Sequence, residues 1–228
     1  MKIMKNKLSF NGKGGNKIPP STIAFVILII LFVVFLIACI YFYSKVQDDR
    51  KKLTAEKDKI NMYFEIQKKD KQNSNETSDV KDDTYSKANY NITYDGIIEI
   101  PSINLKKGFY NLGNKNNTVK RGLEVISGSE MPDKENSTLV IAGHSGSGYL
   151  AMFNKLDKVN QNDSIYIYYN GIKYTYKMEK SEIVAKTGKI SVNLDSNKQW
   201  LILTTCNPSN RYKEQLVLTC VLTSKEAM

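Results

Sequence analysis

Two side chains in this sequence could share a proton during nucleophilic chemistry. Cys206 closes the apolar part of Trp200–Pro208, WLILTTCNP, where apolar and β-branched residues give way to a proline-containing turn. Such a run reads as a buried strand, and its last position is where a rigid sheet hands over to a loop. His144, the single histidine of the chain, follows TLVIA (138–142) and opens the glycine-rich stretch His144-Ser145-Gly146-Ser147-Gly148. A thiol at its ordinary pKa is only a few per cent thiolate at neutral pH, so a cysteine nucleophile needs an imidazole or a cation beside it. Acyl transfer also needs a positive or hydrogen-bonding group for the oxyanion. Arg211, five residues after Cys206, could supply it. Taken singly, Cys206 reads as a small core residue, His144 as structural and Arg211 as a solvated turn residue. A histidine and a cysteine both placed at strand ends favour the chemical reading.

The elements that must position them are short strands separated by Gly, Asn, Pro and Asp. Strands are expected at Gly96–Pro101, Ile103–Leu105, Leu123–Ser127, Thr138–Ala142, Ser164–Tyr169, Ile172–Met178, Ile183–Val184, Trp200–Thr205 and Gln215–Leu222. Asn170-Gly171 between two alternating runs is the strongest short-range hairpin signal. Tyr149, Met152, Phe153 and Leu156 at helical spacing predict one short helix over Tyr149–Leu156. Seven or eight strands with little helix imply an all-β fold, a closed or nearly closed β-barrel over residues 91–228. A domain of that length buries about two-thirds of its unfolded surface and needs no disulfide.

The N-terminal part has a different character. Residues 1–22 form a basic tail, with Lys2, Lys5, Lys7, Lys13 and Lys17 and no acid. Ile23–Tyr43 is uncharged for 21 residues, enough to cross a bilayer as a helix. The lysines hold the tail in the cytoplasm by the positive-inside rule, and Tyr41–Tyr43 would form an aromatic belt at the outer interface. Leu36-Ile37-Ala38-Cys39 also looks like a lipobox, which would make Cys39 an acylation site. Residues 44–90 read as a charged stalk followed by a flexible linker. Val46, Leu53 and Ile60 recur every seven residues with Phe64 near the same face, and 72–90 have almost nothing to bury.

The formal net charge is +10, of which the first 20 residues carry +5. That concentration argues against a nucleic-acid groove on the folded part. Three cysteines without regular spacing and one histidine are neither a disulfide framework nor a metal site. No metal and no cofactor is expected.

TLVIAGHSG and LILTTC, in that order behind an anchor, resemble the two signature motifs of the sortase family. Sortases are membrane-anchored cysteine transpeptidases of Gram-positive bacteria. The resemblance covers about residues 91–226, including GIIEIPSINL and the Asn-Gly hairpin. It implies an eight-stranded barrel with one or two short helices, behind an N-terminal transmembrane helix and linker, its catalytic domain outside the cell. It implies that Cys206 attacks an LPXTG-like C-terminal sorting signal of secreted proteins. His144 then protonates the leaving amine and later activates a cell-wall precursor amine. Arg211 would steady the oxyanion, and Thr205, Ser145 and Gln215 would contact the peptide. Two departures stand out. Ile202 occupies the place of the family's first Thr, and Gln215 holds the place where the family arginine usually lies, leaving Arg211, Lys213 or Gln215 for that role and Arg121 as a weaker substitute. Residues 72–95 lack the proline of a pilin-type lid, so a compact class that attaches proteins to the wall is expected. A hydrolytic peptidase of the same fold, and a membrane-tethered β-module without chemistry, stay open as alternatives.

Overall fold

A computed structural model of the chain describes residues 20–73 and 93–228. It holds two compact units, Met1–Asp48 and Asp49–Met228, and one helix, α1 (Pro20–Asn73), contributes residues to both. In the first unit Ile23–Tyr43 is helical throughout with exposed side chains. Among the described residues, α1 is the helix long and apolar enough to cross a membrane. A helix suits that solvent because it satisfies every backbone polar group internally. Cys39 lies within it, exposed.

The second unit is built on eight strands: β1 (Gly96–Ile100), β2 (Leu105–Phe109), β3 (Glu124–Val125), β4 (Thr138–Ala142), β5 (Ser164–Tyr169), β6 (Ile172–Ala185), β7 (Trp200–Cys206) and β8 (Glu214–Ala227). Their order is β2-β1-β5-β6-β8-β7-β4-β3, a nearly closed barrel. β4 and β7 run parallel, and the other pairings are antiparallel. Alternation along each strand sends one set of side chains inward. Ile98, Leu139, Ile141, Ile165, Leu203 and Leu218 thereby meet in one core, each essentially unexposed. The Asn170-Gly171 hairpin forms as expected, with φ of 47° and 73° at its two central residues. That is the primed turn whose twist matches the flanking strands.

Besides Ile103, which closes a 3₁₀ turn at Pro101–Ile103 ahead of β2 instead of opening a strand, three elements differ from the sequence reading. Tyr149–Leu156 is not a helix but a series of turns ending in a 3₁₀ turn at Leu156–Lys158. Its helical spacing does bury Met152, Phe153 and Leu156. The Phe153 N–H, however, donates to the His144 carbonyl at 2.9 Å, not to the carbonyl four residues back. Ile183–Val184 is the far end of the 14-residue β6, which shifts register between Met178 and Lys180. The third difference concerns α1. Its residues from Asp49 onward belong to the barrel unit, although their charge reads as a stalk. Glu56, Ile60 and Tyr63 share one face at helical spacing. Ile60 and Tyr63 pack with Ile97, flanked by Phe64, Tyr94 and Tyr168. Tyr63 donates its hydroxyl to the Tyr168 carbonyl at 3.0 Å. The expected linker from residue 74 to 90 lies outside the described residues.

Glu56 anchors this face. It is 5% exposed and accepts a 2.6 Å ion pair from Lys107 on β2, itself 19% exposed. A buried carboxylate persists only if it is paired. Burial, reinforced by the charge of Glu56, pushes the Tyr149 phenol up to about 12 and that of Tyr94 further up. Removing one partner of such a pair strands the other charge, at about 3 kcal/mol. Glu56→Gln should therefore lower the thermal midpoint by roughly 6–12 °C and open residues 49–69 to limited proteolysis. An unchanged midpoint and cleavage pattern would show that this helical segment is not held by the ion pair.

Candidate active site

The placement of His144 and Cys206 follows from the parallel pairing of β4 with β7. Thr138 lies opposite Trp200 and Ala142 opposite Thr204, so partners differ by 62 along the sequence. Cys206 is also 62 residues after His144 (206 − 144 = 62). Continued by two residues, the same offset would set His144 beside Cys206 on neighbouring chains, which run about 4.8 Å apart. The intervening pair extends the register by one residue. The Gly143 N–H donates to the Thr204 carbonyl at 3.1 Å, and the Thr205 hydroxyl donates to the Gly143 carbonyl at 2.7 Å. Facing is settled by the same parity. Leu139, Ile141, Leu201 and Leu203 point into the core, so Gly143 and Thr205 follow them inward. Ala142, His144, Thr204 and Cys206 lie on the outer face of the wall.

Gly143 is the pivot. A Cβ there would come within 2.8 Å of both the Leu123 and Phe153 side chains, closer than atoms pack. Its smallness lets β4 press against Phe153, and the Phe153 N–H in turn holds the carbonyl of His144. The histidine backbone is thus tied on both sides, while its side chain is exposed. Thr205 is 5% exposed. Its bonded hydroxyl acts as a tie between the two strands that carry the reacting groups.

Cys206 is half-buried at the end of β7. Cys220 on β8 is fully buried, and burial pushes its thiol far up, away from the thiolate. Lys186, just past β6, sets its ammonium 3.3 Å from the Cys206 sulfur and donates to the Arg211 carbonyl at 3.4 Å. Arg211 stands in the β7–β8 turn, and its guanidinium lies against Gly146, 3.1 Å from where a Cβ would be. Gly146 has φ of +123°, a conformation that other residues rarely adopt. It lets the loop of His144 accept that close approach. Gln215 on β8 is directly opposite Cys206. Its Nε2 is buried with no partner among the described residues, as is the Ser145 hydroxyl beside His144. Arg121 lies elsewhere, its guanidinium donating to Asn116 Oδ1. Lys213 contributes its carbonyl, which accepts from the Lys186 N–H at 2.7 Å. Ile202 is buried. Lys186 was missed by the sequence reading. Its signal exists only in the sheet: Val184, Gln215 and Cys206 form one cross-strand row, and Lys186 is two residues on from Val184, on the same face. Among the described residues, no group of three or more His, Cys, Asp or Glu side chains could hold a metal ion.

Residues 98–223 match the model of the sortase domain. The chain belongs to the sortase family. It is 30% identical over 113 residues to sortase D of Bacillus subtilis (strain 168), a match covering 50% of this chain and 54% of that protein. The chain thus spans about half the length of this curated relative. Sortase A from Corynebacterium diphtheriae superposes with a TM-score of 0.52 at 26% identity, over 57% of this chain and 61% of that one. Sortase A of Listeria monocytogenes, 21% identical, shares the fold with a TM-score of 0.51 over 59% of this chain and 90% of that one. The residues matched by the family model, 98–223, include both His144 and Cys206.

Overpacking at a full site costs about 1–3 kcal/mol. Gly143→Ala should lower stability by that much and shift the histidine, cutting turnover more than tenfold. Alkylation of Cys206 by a small reagent, which needs no acid, should persist. Wild-type turnover in Gly143→Ala would show that this contact does not set the position of His144.

Proposed function

We propose that the protein is a cysteine transpeptidase that cuts an LPXTG-like sorting signal of secreted proteins and joins the new carboxyl end to a cell-wall amine. The observation that supports this reading is the 62-residue offset between paired residues of β4 and β7, equal to the spacing of His144 and Cys206, within a sortase domain. The thiolate of Cys206 attacks the carbonyl of the Thr-Gly type bond. The tetrahedral oxyanion collapses as His144 gives a proton to the departing amine, leaving a thioester on Cys206. The incoming amine then attacks the thioester while His144 accepts its proton, and the cysteine thiolate leaves with the new amide complete.

The other groups have distinct tasks in this scheme. Arg211 steadies the oxyanion and the peptide backbone from above the His144 loop. Gln215 and Ser145 hold buried polar groups with no partner among the described residues, and a peptide laid along the outer face of β7 would supply carbonyl and N–H partners. Thr205 keeps the two reacting strands in register. The apolar segment of α1 would anchor the enzyme as a single membrane span, with the lysine-rich N-terminus in the cytoplasm and the barrel outside. The absence of proline from residues 72–95 favours attachment to the wall over pilin polymerisation.

Full-length protein in detergent micelles, given a sorting-signal peptide and an amine, should yield amine-dependent ligated product. Cys206→Ala should abolish it. His144→Ala should slow it by about 10²–10⁴-fold, and Arg211→Ala by about 10²–10³-fold. Cleavage indifferent to the amine would point instead to a hydrolase, and full activity in His144→Ala would remove the acid–base scheme.

A further inference from the structure

A basic group other than His144 and Arg211 touches Cys206. Lys186 Nζ lies 3.3 Å from the Cys206 sulfur, whereas the guanidinium of Arg211 lies over Gly146. The position of Lys186 is fixed by the fold. Strand β6 pairs with β8 up to Ala185–Glu214. The next N–H, that of Lys186, donates to the Lys213 carbonyl at 2.7 Å. The side chain then crosses the start of β8 toward β7 on the face that carries Cys206, and a second contact to the Arg211 carbonyl at 3.4 Å holds its head. The charged and titratable groups around the thiol are accounted for by element. His144 comes from the turn after β4, Lys186 from beyond β6, and Arg211 and Lys213 from the β7–β8 turn. Glu214 opens β8 and binds the Asn207 side chain at 2.7 Å.

We propose that Lys186 is a further catalytic residue, whose ammonium holds the negative charge of the Cys206 sulfur before attack and again when the sulfur leaves the thioester. This rests on the reading of Cys206 as nucleophile. Before attack the ammonium lies against the sulfur that becomes the nucleophile. On acylation the sulfur loses its charge and the contact weakens. When the amine displaces it, the same ammonium receives the returning charge, which speeds departure of the sulfur. The division of labour between two cations follows. Lys186 serves the sulfur, while Arg211, aimed at the His144 loop, is left free for the carbonyl oxygen. Lys186 also steadies the backbone of the turn that carries Arg211.

The test is alkylation of Cys206 by iodoacetamide in full-length protein in detergent, followed by peptide-resolved mass spectrometry over pH 6 to 10. A unit charge at this separation, even in water-like surroundings, changes the rate of a step that places negative charge on the sulfur about tenfold. At pH 7 the wild type should be labelled about ten times faster than Lys186→Met or Lys186→Gln, and Lys186→Arg should keep most of the wild-type rate. The gap should shrink in 1 M salt, which screens the pair. Cys220, fully buried, should stay unlabelled in every variant that is folded. In ligation assays the methionine variant should lose kcat with little change in peptide KM. Equal labelling of wild type and both neutral variants at pH 7, or an equal loss in Lys186→Arg, overturns the role of Lys186, whatever the ligation result. A wild type that shows the lysine-dependent rate but ligates no peptide contradicts the transpeptidase reading and leaves the ion contact standing.

Discussion

The site depends on one constraint, the parallel register between β4 and β7. Parallel strands are linked by evenly spaced bonds, so a fixed difference in residue number carries along the ladder. Here that difference, 62, is also the spacing of His144 and Cys206, and it supports their juxtaposition. A slip of one residue would turn His144 toward the barrel interior and leave Gly143 outside. The register is held where it matters most. The bond from Thr205 to the Gly143 carbonyl and the tight packing of Gly143 against Phe153 close the gap between the last ladder pair and the reacting residues.

The surrounding barrel gives two cysteines opposite properties. Cys206 and Cys220 lie on adjacent strands, but Cys220 points into the core, where desolvation disfavours its thiolate. Cys206 sits at the end of β7, partly open, with the Lys186 ammonium 3.3 Å from its sulfur. β7 itself is buried on both faces, with Leu201 and Leu203 in the core and Ile202 and Thr204 covered outside. The Trp200 indole N–H donates to the Asp195 carbonyl of the β6–β7 connection at 2.9 Å. A nucleophile on such a strand inherits the rigidity of the core, while only its last residue meets solvent. Rigid support of this kind is what catalytic geometry requires.

Much of this was legible in the sequence because strand alternation, turn residues and the Asn-Gly hairpin are local signals. Trp200–Cys206 and Thr138–Ala142 were readable as strands for that reason, and with them the strand-end places of Cys206 and His144. What could not be read depends on contacts between distant segments. The spacing of Met152, Phe153 and Leu156 is helical, but the Phe153 N–H is claimed by His144, so core burial is achieved through turns. The charged run after Asp49 hides a narrow face of Glu56, Ile60 and Tyr63, whose destination on the barrel carries no local signature. Lys186 looks like one lysine among many until the β6–β8–β7 pairing sets it next to the sulfur. Thr205 reads as a peptide contact from its place before Cys206, and only the sheet reveals its bond to Gly143.

Replacing the histidine by a second cysteine measures the register directly. Groups adjacent on neighbouring strands fall within disulfide range, with Cα atoms about 4.4–6.8 Å apart. His144→Cys, mildly oxidised and mapped by mass spectrometry, should form an intramolecular bridge between positions 144 and 206 in high yield, with Cys220 left reduced. Free thiols at both positions under conditions that oxidise an exposed dithiol would contradict the account, since the imidazole and the sulfur would not then share one site.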